Sequence, residues 1–202
     1  MNQVLWFFGI HGPNVLASVY PVFFASADNA PSVFDIPQSF FNVYVHIGGS
    51  GSTLGLLLAI AFCVGQGETR RVAKYALLPS IFNINELVIF GLPIIFNPVY
   101  LVPCLIAPLA QIAAGYFCVR HGWLAVDVTQ VPWTTPALLG GTINSGSWFG
   151  GALQLFNIGL SALIYAPFVR FSERQRIAES RNNARRIVAE IESYQKIIDG
   201  AR

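Results

Sequence analysis

The chain has 202 residues, of which 54% are hydrophobic and only 11% charged, and its mean hydropathy is +0.55. Soluble domains average about 25% charged residues, so the composition excludes an ordinary soluble domain and predicts an all-α polytopic membrane protein. The net charge of +2 conceals an asymmetry, because eight of the twelve Lys and Arg residues lie at or after Arg170. Basic residues placed there and interleaved with acidic ones do not read as nucleic-acid binding, and no nucleic-acid partner is expected.

The opening Met1-Asn2-Gln3 runs almost directly into membrane-like sequence, which is abrupt for a complete protein, and it lacks the basic n-region of a cleavable signal peptide. Residues 4–27 carry no formal charge, and Trp6, Phe7, Phe8 and Tyr20 suit a membrane interface. Gly12-Pro13 should disturb a helix there. A polar loop follows with Asp28, Asn29, Pro31, Ser32, Asp35 and Pro37. Residues 36–67 are again uncharged and contain His46 and the cluster Gly48-Gly49-Ser50-Gly51-Ser52-Thr53. Two readings of that cluster stand: close helix packing, or backbone approach to a ligand. Glu68, Arg70, Arg71 and Lys74 form a short charged loop.

Residues 79–98 organise the chain. They are apolar enough for a bilayer yet carry Glu86 flanked by Asn83 and Asn85, and the next charged residue is Arg120. A lone carboxylate at membrane depth costs about 2.5–3.5 kcal/mol and usually faces a cavity or a partner. Pro79, Gly91, Pro93 and Pro98 argue against one regular helix, and broken backbone is tolerated where it lines a cavity. The segment reads as a re-entrant or broken piece presenting Glu86 to a polar ligand; the alternative is a Glu snorkelling from a helix end. Residues 101–119, with Pro103 and Pro108 early in the run, have about the length that spans a bilayer. Arg120, His121 and Asp127 form a loop in which His121 is solvated. Residues 128–146 are apolar but interrupted by Pro132, Trp133, Thr134, Thr135, Pro136, Gly140 and Gly141, and residues 148–169 are the last clear span.

The tail changes character. Ile177, Ile187, Val188, Ile191, Tyr194 and Ile198 recur at helical spacing amid dense mixed charge, and Glu192 and Lys196 suit an i,i+4 pair. This predicts an amphipathic helix outside the membrane, and a short coiled coil is possible. The two basic regions, residues 70–74 and the tail, should both be cytoplasmic. They share a side if residues 79–98 dip in and return. The expected architecture is about four transmembrane helices plus one or two re-entrant hairpins. Residues 1–170 form a membrane-embedded domain and residues 171–202 a cytoplasmic helical tail. Cys63, Cys104 and Cys118 lie in apolar runs with no CxxC pair, so they read as packing residues, with no disulfide framework or metal site. No nucleophile–base pair is visible, so no catalytic residue is assigned, and no cofactor is expected.

The run Asn83-Ile84-Asn85-Glu86-Leu87-Val88-Ile89-Phe90-Gly91-Leu92-Pro93, followed by Asn97-Pro98, resembles the hallmark of the lactose/cellobiose membrane permease component, enzyme IIC, of the bacterial sugar phosphotransferase system. Trp6-Phe7-Phe8-Gly9-Ile10-His11-Gly12, the region from Gly48-Gly49 to Leu54-Gly55-Leu56, and Pro132-Trp133-Thr134-Thr135-Pro136 resemble the same family in the same order. Family members are about twice as long, and the chain resembles their C-terminal half. The resemblance implies uptake of a β-linked disaccharide across the bacterial inner membrane. A soluble IIB component phosphorylates the sugar, and the complete permease is a homodimer. It also implies that an N-terminal half, encoded elsewhere if this is a split permease, completes the transporter. None of the three cysteines resembles the phosphoryl-carrying nucleophile of such systems, since a thiolate is disfavoured in a hydrophobic run.

The family's matching Glu is thought to hold the hydroxyl that receives phosphate, which falls on Glu86, and His11 is the histidine carried over first. Asn83 and Asn85 each offer an acceptor and two donors. Trp133 could stack on a pyranose face or anchor at the interface, Thr135 lies in the same motif, and His46 is a further candidate. Two rival readings remain open: an ion- or proton-coupled carrier with Glu86 as the coupling site, and a non-transporting half of a split permease.

Overall fold

The computed structural model of the chain describes residues 2–12, 14–15, 38–92, 94–125 and 131–200, and all regular structure among them is helical. The expected polar loop at 28–37, most of the expected first span at 4–27, the breaker Pro93 and the loop residue Asp127 lie outside the described residues. Two compact units are present, Met1–Val169 and Arg170–Arg202.

In the first unit, α1 (Asn2–Phe7) is followed by α2 (Gln38–Phe40), which runs into a π-helical turn at Phe41–Val45. Residues 46–52 are irregular, with Gly48, Gly49, Gly51 and even Ser52 at positive φ. Regular helix resumes at α3 (Thr53–Cys63), whose 11 residues reach about 16 Å, half of a bilayer core of about 30 Å. Then come α4 (Glu68–Ile81), α5 (Glu86–Gly91), α6 (Pro98–Arg120) and α7 (Leu139–Ser145), and α8 begins at Trp148.

Two expectations are corrected here. Glu68, Arg70, Arg71 and Lys74 are not a loop. They form the first turns of α4, because Gly67 turns the chain at φ +143 and the residues after it are good helix formers. Arg120 does not belong to the loop with His121 either, being the last residue of α6. The organising segment is broken as its Pro and Gly residues imply, with Pro79 inside the last turn of α4 and the first interruption just after it. Residues 82–85 and 92–97 carry the interruptions.

The long helix α6 has 23 residues, about 34 Å of rise, and both it and α8 are long and apolar enough to cross a membrane. Pro103 and Pro108 lie within α6, and Asn97 caps it by accepting a hydrogen bond from the Val99 N–H at 3.0 Å. Its buried face includes Tyr100, Cys104, Ala107, Gln111, Gly115 and Cys118, while Val102, Ile106, Leu109 and Phe117 are exposed. The span of α8 repeats the inversion: Gln154, Asn157, Ser161 and Tyr165 are buried, while Leu155, Phe156 and Leu163 (74% exposed) face outward. A soluble helix packs the opposite way.

One core joins Trp6, Leu56, Ile60, Ala76, Val88, Ile89, Tyr100 and Tyr165, and a second joins Phe40, Val43, Tyr44, Cys118, Leu124, Val131 and Leu153. His121 is exposed and stacks on Phe117 with centroids 4.0 Å apart.

The second unit is helical throughout its described length, within the element Trp148–Gly200. Arg176 makes a two-pronged pair with Glu173, Nε to Oε2 at 3.0 Å and Nη2 to Oε1 at 2.7 Å. Ile177, Ile187, Val188 and Ile191 are exposed. The side chains of Tyr194, Lys196 and Ile198 lie outside the described set.

Candidate functional site

The site is built on the turn between α4 and α5. At the end of α4 the N–H groups of Phe82 and Ile84 donate to Pro79 O at 3.0 and 3.1 Å, and Asn83 N–H donates to Ser80 O at 3.0 Å. Asn83 takes φ +62, a left-handed conformation that Asn tolerates better than most residues. Asn85 O then accepts from Val88 and Ile89 N–H at 3.0 and 2.9 Å and starts α5. Glu86 therefore stands in the first turn of α5, where a negative charge is favoured by the helix dipole.

The two amides beside it are engaged with main chain. Asn83 Oδ1 accepts from Gly48 N–H at 2.8 Å, and its Nδ2 donates to Trp133 O at 2.6 Å and to Thr135 O at 3.2 Å. Both donors are thus committed, and one side chain ties three loops together. Asn85 is buried, and its Nδ2 donates to Ser50 O at 3.1 Å. The glycine cluster makes this contact possible. A Cβ on Gly49, which has φ +98, would lie 2.6 Å from Asn85 Cγ.

Glu86 and His11 meet although 75 positions separate them in the chain. Glu86 Oε1 lies 3.5 Å from His11 Nε2, with the two side chains 46% and 39% exposed. That gap is longer than a well-made hydrogen bond. His11 Nδ1 accepts from Asn14 N–H at 3.3 Å, so a neutral imidazole here carries its proton on Nε2, facing the carboxylate. Glu86 Oε2 is buried and has no hydrogen-bond partner among the described residues. Trp6 stacks obliquely on His11 with centroids 4.7 Å apart and meets Phe90 edge-on at 6.0 Å, and its buried Nε1 likewise has no partner among the described residues. Trp6 was not among the residues singled out as binding candidates. Its signal was its place five positions before His11 in a motif otherwise rich in Phe.

The remaining candidates stand apart from the carboxylate. Trp133 and Thr135 line a small cleft with Asn42, Asn83, Pro132 and Gln154, and the Trp133 ring is exposed. Asn83 is the covalent and hydrogen-bonded link between this cleft and Glu86. His46 is joined to neither cluster by a hydrogen bond among the described residues, and its buried Nδ1 has no partner there.

A polar ladder on α8 holds the irregular segment in place. Gln154 Nε2 donates to Val43 O at 2.7 Å, and Gln154 Oε1 accepts from Leu138 and Gly141 N–H at 2.7 and 2.8 Å. Asn157 Nδ2 donates to Tyr44 O at 2.8 Å, the Ser161 hydroxyl to Ser52 O at 3.1 Å, and Tyr165 OH to Gly51 O at 2.7 Å. Gln111 of α6 adds a bond to Asn157 O at 2.9 Å and touches the Ser52 hydroxyl. The signal for these residues was one polar side chain about every turn on one face of an otherwise apolar span.

An apolar outer surface, buried polar rungs on α8 and broken helix ends that present a carboxylate beside an imidazole define a helical membrane protein with a candidate polar site. The chain belongs to the family described as Phosphotransferase system, EIIC, which residues 1–108 match. It is 34% identical to the lichenan permease IIC component of Bacillus subtilis (strain 168), over 90% of this chain and 43% of that protein. It is 33% identical to the cellobiose-specific EIIC component of Geobacillus stearothermophilus, over 89% of this chain and 43% of that protein. Among solved structures, it superposes with a TM-score of 0.75 and 35% identity on the transporter ChbC, the IIC component of the N,N'-diacetylchitobiose-specific phosphotransferase system. That match covers 89% of this chain and 44% of the other. The chain therefore spans less than half the length of these relatives.

Proposed function

We propose that the chain is the sugar-binding part of a phosphotransferase-system permease of the bacterial inner membrane. It binds a β-linked disaccharide of the cellobiose, lactose or chitobiose type and hands it to a soluble IIB component for phosphorylation. The observation that carries this reading is Glu86: one oxygen is buried without a partner among the described residues, and the other is 3.5 Å from His11 Nε2. A sugar hydroxyl at the exposed side of this pair can donate to Oε1 and accept from the His11 Nε2–H. Trp6, buried in the core, packs against the His11 ring and holds it beside the carboxylate. Asn83 and Asn85 fix the carboxylate, and Trp133 and Thr135 border the route to it. The saccharides in the names of the similar proteins are β-linked, which supports the substrate class.

The 14 residues of α4 and 6 of α5 reach about 21 Å and 9 Å, so neither crosses a hydrocarbon core of about 30 Å. We read them as a re-entrant hairpin that returns to the side it left. This puts residues 70–74 and the 171–202 tail on the cytoplasmic face and makes residues 1–170 the membrane domain. The chain corresponds to the C-terminal half of a permease, works with the N-terminal half, and dimerises when complete.

The test is binding of radiolabelled cellobiose, lactose and N,N'-diacetylchitobiose to the purified chain, with and without a supplied N-terminal half. One of them should bind saturably. Hydrogen bonds to a charged group contribute about 1.5–3 kcal/mol, so Glu86→Gln should weaken binding about ten- to hundredfold, and Glu86→Ala should weaken it further. If both variants fold and bind like the parent, Glu86 is not the sugar anchor.

A further inference from the structure

Helix α4 has two faces of unusual distribution. Thr69, Ala73, Ala76 and Ser80 are buried and recur at i, i+4, i+7 and i+11. They are small, and they let α4 lie close to its neighbours. On the opposite side Arg71, Lys74, Tyr75, Leu78 and Phe82 fall at i, i+3, i+4, i+7 and i+11, one stripe about 100° wide. All five are exposed, Tyr75 at 79%, Leu78 at 68% and Phe82 at 41%.

The order along the stripe is a chemical gradient. Two cations come first, an amphipathic phenol next, and aliphatic and aromatic hydrocarbon last. From Arg71 to Phe82 the rise is about 16 Å, close to the half-thickness of a bilayer's hydrocarbon core, about 15 Å. The sequence of groups matches the sequence of layers met on entering one leaflet: phosphate, interface, acyl chain. Arg71 and Lys74 make no ion pair among the described residues. The carboxylate nearest in sequence, Glu68, lies about a turn further toward the charged end. Arg70 is turned away, its Nη1 donating to Val64 O and Gly65 O at 2.6 and 2.9 Å.

We infer that the Arg71–Phe82 stripe is a docking face for anionic phospholipid. Arg71 and Lys74 hold the headgroup phosphates, Tyr75 sits at the interface, and Leu78 and Phe82 lie among the acyl chains of the same leaflet. Phosphate neutralises the cations where the charge stands, and hydrocarbon covers a surface that is exposed among the described residues. The stripe thereby sets the depth of the turn that carries Glu86, because Phe82 is four residues from it. The inference rests on the proposed re-entrant hairpin and adds a ligand to it.

The experiment uses the full chain in nanodiscs of phosphatidylcholine, with or without phosphatidylglycerol. Nitroxide labels placed singly at positions 71, 74, 75, 78 and 82 are read by collision with oxygen and with a water-soluble nickel chelate. The oxygen-to-nickel ratio should climb steadily from 71 to 82. The parent should retain phosphatidylglycerol over phosphatidylcholine about five- to thirtyfold, as expected for one to two basic residues near the surface. The exposed double variant Arg71→Gln/Lys74→Gln should lose that preference and keep the depth gradient. Labels at 75 and 78 shielded from both colliders would show that protein, such as an acidic partner, covers the stripe, and would overturn the inference. So would a steady depth gradient with no lipid preference, which leaves the hairpin standing. Nickel access at all five positions removes the hairpin reading itself.

Discussion

Gly49 is the position where the irregular backbone and the start of α5, which carries Glu86, depend on each other most directly, and Gly49→Ala should destabilise the protein by about 2–5 kcal/mol. Part of this is conformational. Gly49 has φ +98, and a residue with a Cβ forced into the left-handed half of φ space loses about 1–2 kcal/mol. The rest is steric. The new methyl would lie 2.6 Å from Asn85 Cγ, 2.7 Å from its Cβ and 2.9 Å from its Nδ2, and overpacking of this kind costs about 1–3 kcal/mol. Asn85 would have to move, giving up its bond to Ser50 O and shifting the first turn of α5 on which Glu86 stands. The two parts separate in a double-mutant cycle with Asn85→Gly, which removes every atom of the clash. On that background Gly49→Ala should cost only its backbone share, leaving a coupling of about 1–3 kcal/mol. Unfolding of the purified chain in detergent, followed by heat or denaturant, reads the cycle. A Gly49→Ala cost under about 0.5 kcal/mol, or strict additivity with Asn85→Gly, would refute the contact between the glycine loop and the α5 start.

Gln154→Leu removes three bonds, two of them buried, to Val43 O and from Gly141 N–H, and one half-buried, from Leu138 N–H. At about 1–3 kcal/mol for each group left unsatisfied it should cost at least about 3 kcal/mol in the same unfolding measurement. Asn83→Asp keeps the acceptor for Gly48 N–H but loses both donors to Trp133 O and Thr135 O, so hydrogen exchange should speed up across residues 131–135 while α6 stays protected. Tyr165→Phe loses the buried bond to Gly51 O and the hydroxyl's contact with the Cys104 thiol, and should lower stability by about 1–2 kcal/mol with little change in sugar affinity. Deleting residues 180–202 should leave sugar affinity within about twofold, since Arg170–Arg202 is a separate unit; a larger loss in a folded truncation would bring the tail into the site.

Helical class and the two long apolar elements were legible because hydropathy reads length and composition directly. Residues 101–119 and 148–169 were expected as spans, and the helices Pro98–Arg120 and Trp148–Gly200 contain them. Glu68 to Lys74 misled because charge in a membrane sequence suggests a loop, whereas the helix there is amphipathic, with its small face buried. The approach of His11 to Glu86 could not come from periodicity, since no local rule links residues so far apart; the family resemblance named both without their distance. The ladder on α8 was missed because its partners are carbonyls of an irregular segment, and carbonyls leave no mark in a sequence. Asn83 shows the same limit. Its amide was expected to be available to a ligand, and only coordinates reveal that its donors are already committed to Trp133 and Thr135.

The direction of the α8 bonds has a consequence for how this protein can diverge. Gln154, Asn157, Ser161 and Tyr165 donate to peptide oxygens of residues 43–52 rather than to side chains. Every residue type supplies the same carbonyl, so these hydrogen bonds do not themselves restrict the side chains of the receiving segment; its burial and its glycine turns do. The donors have no such freedom, because each must keep its chemistry and its reach. Drift should therefore be lopsided. A library randomised at the half-buried positions just before that segment, Phe41 and Asn42, would return more folded members than one randomised at the four donors.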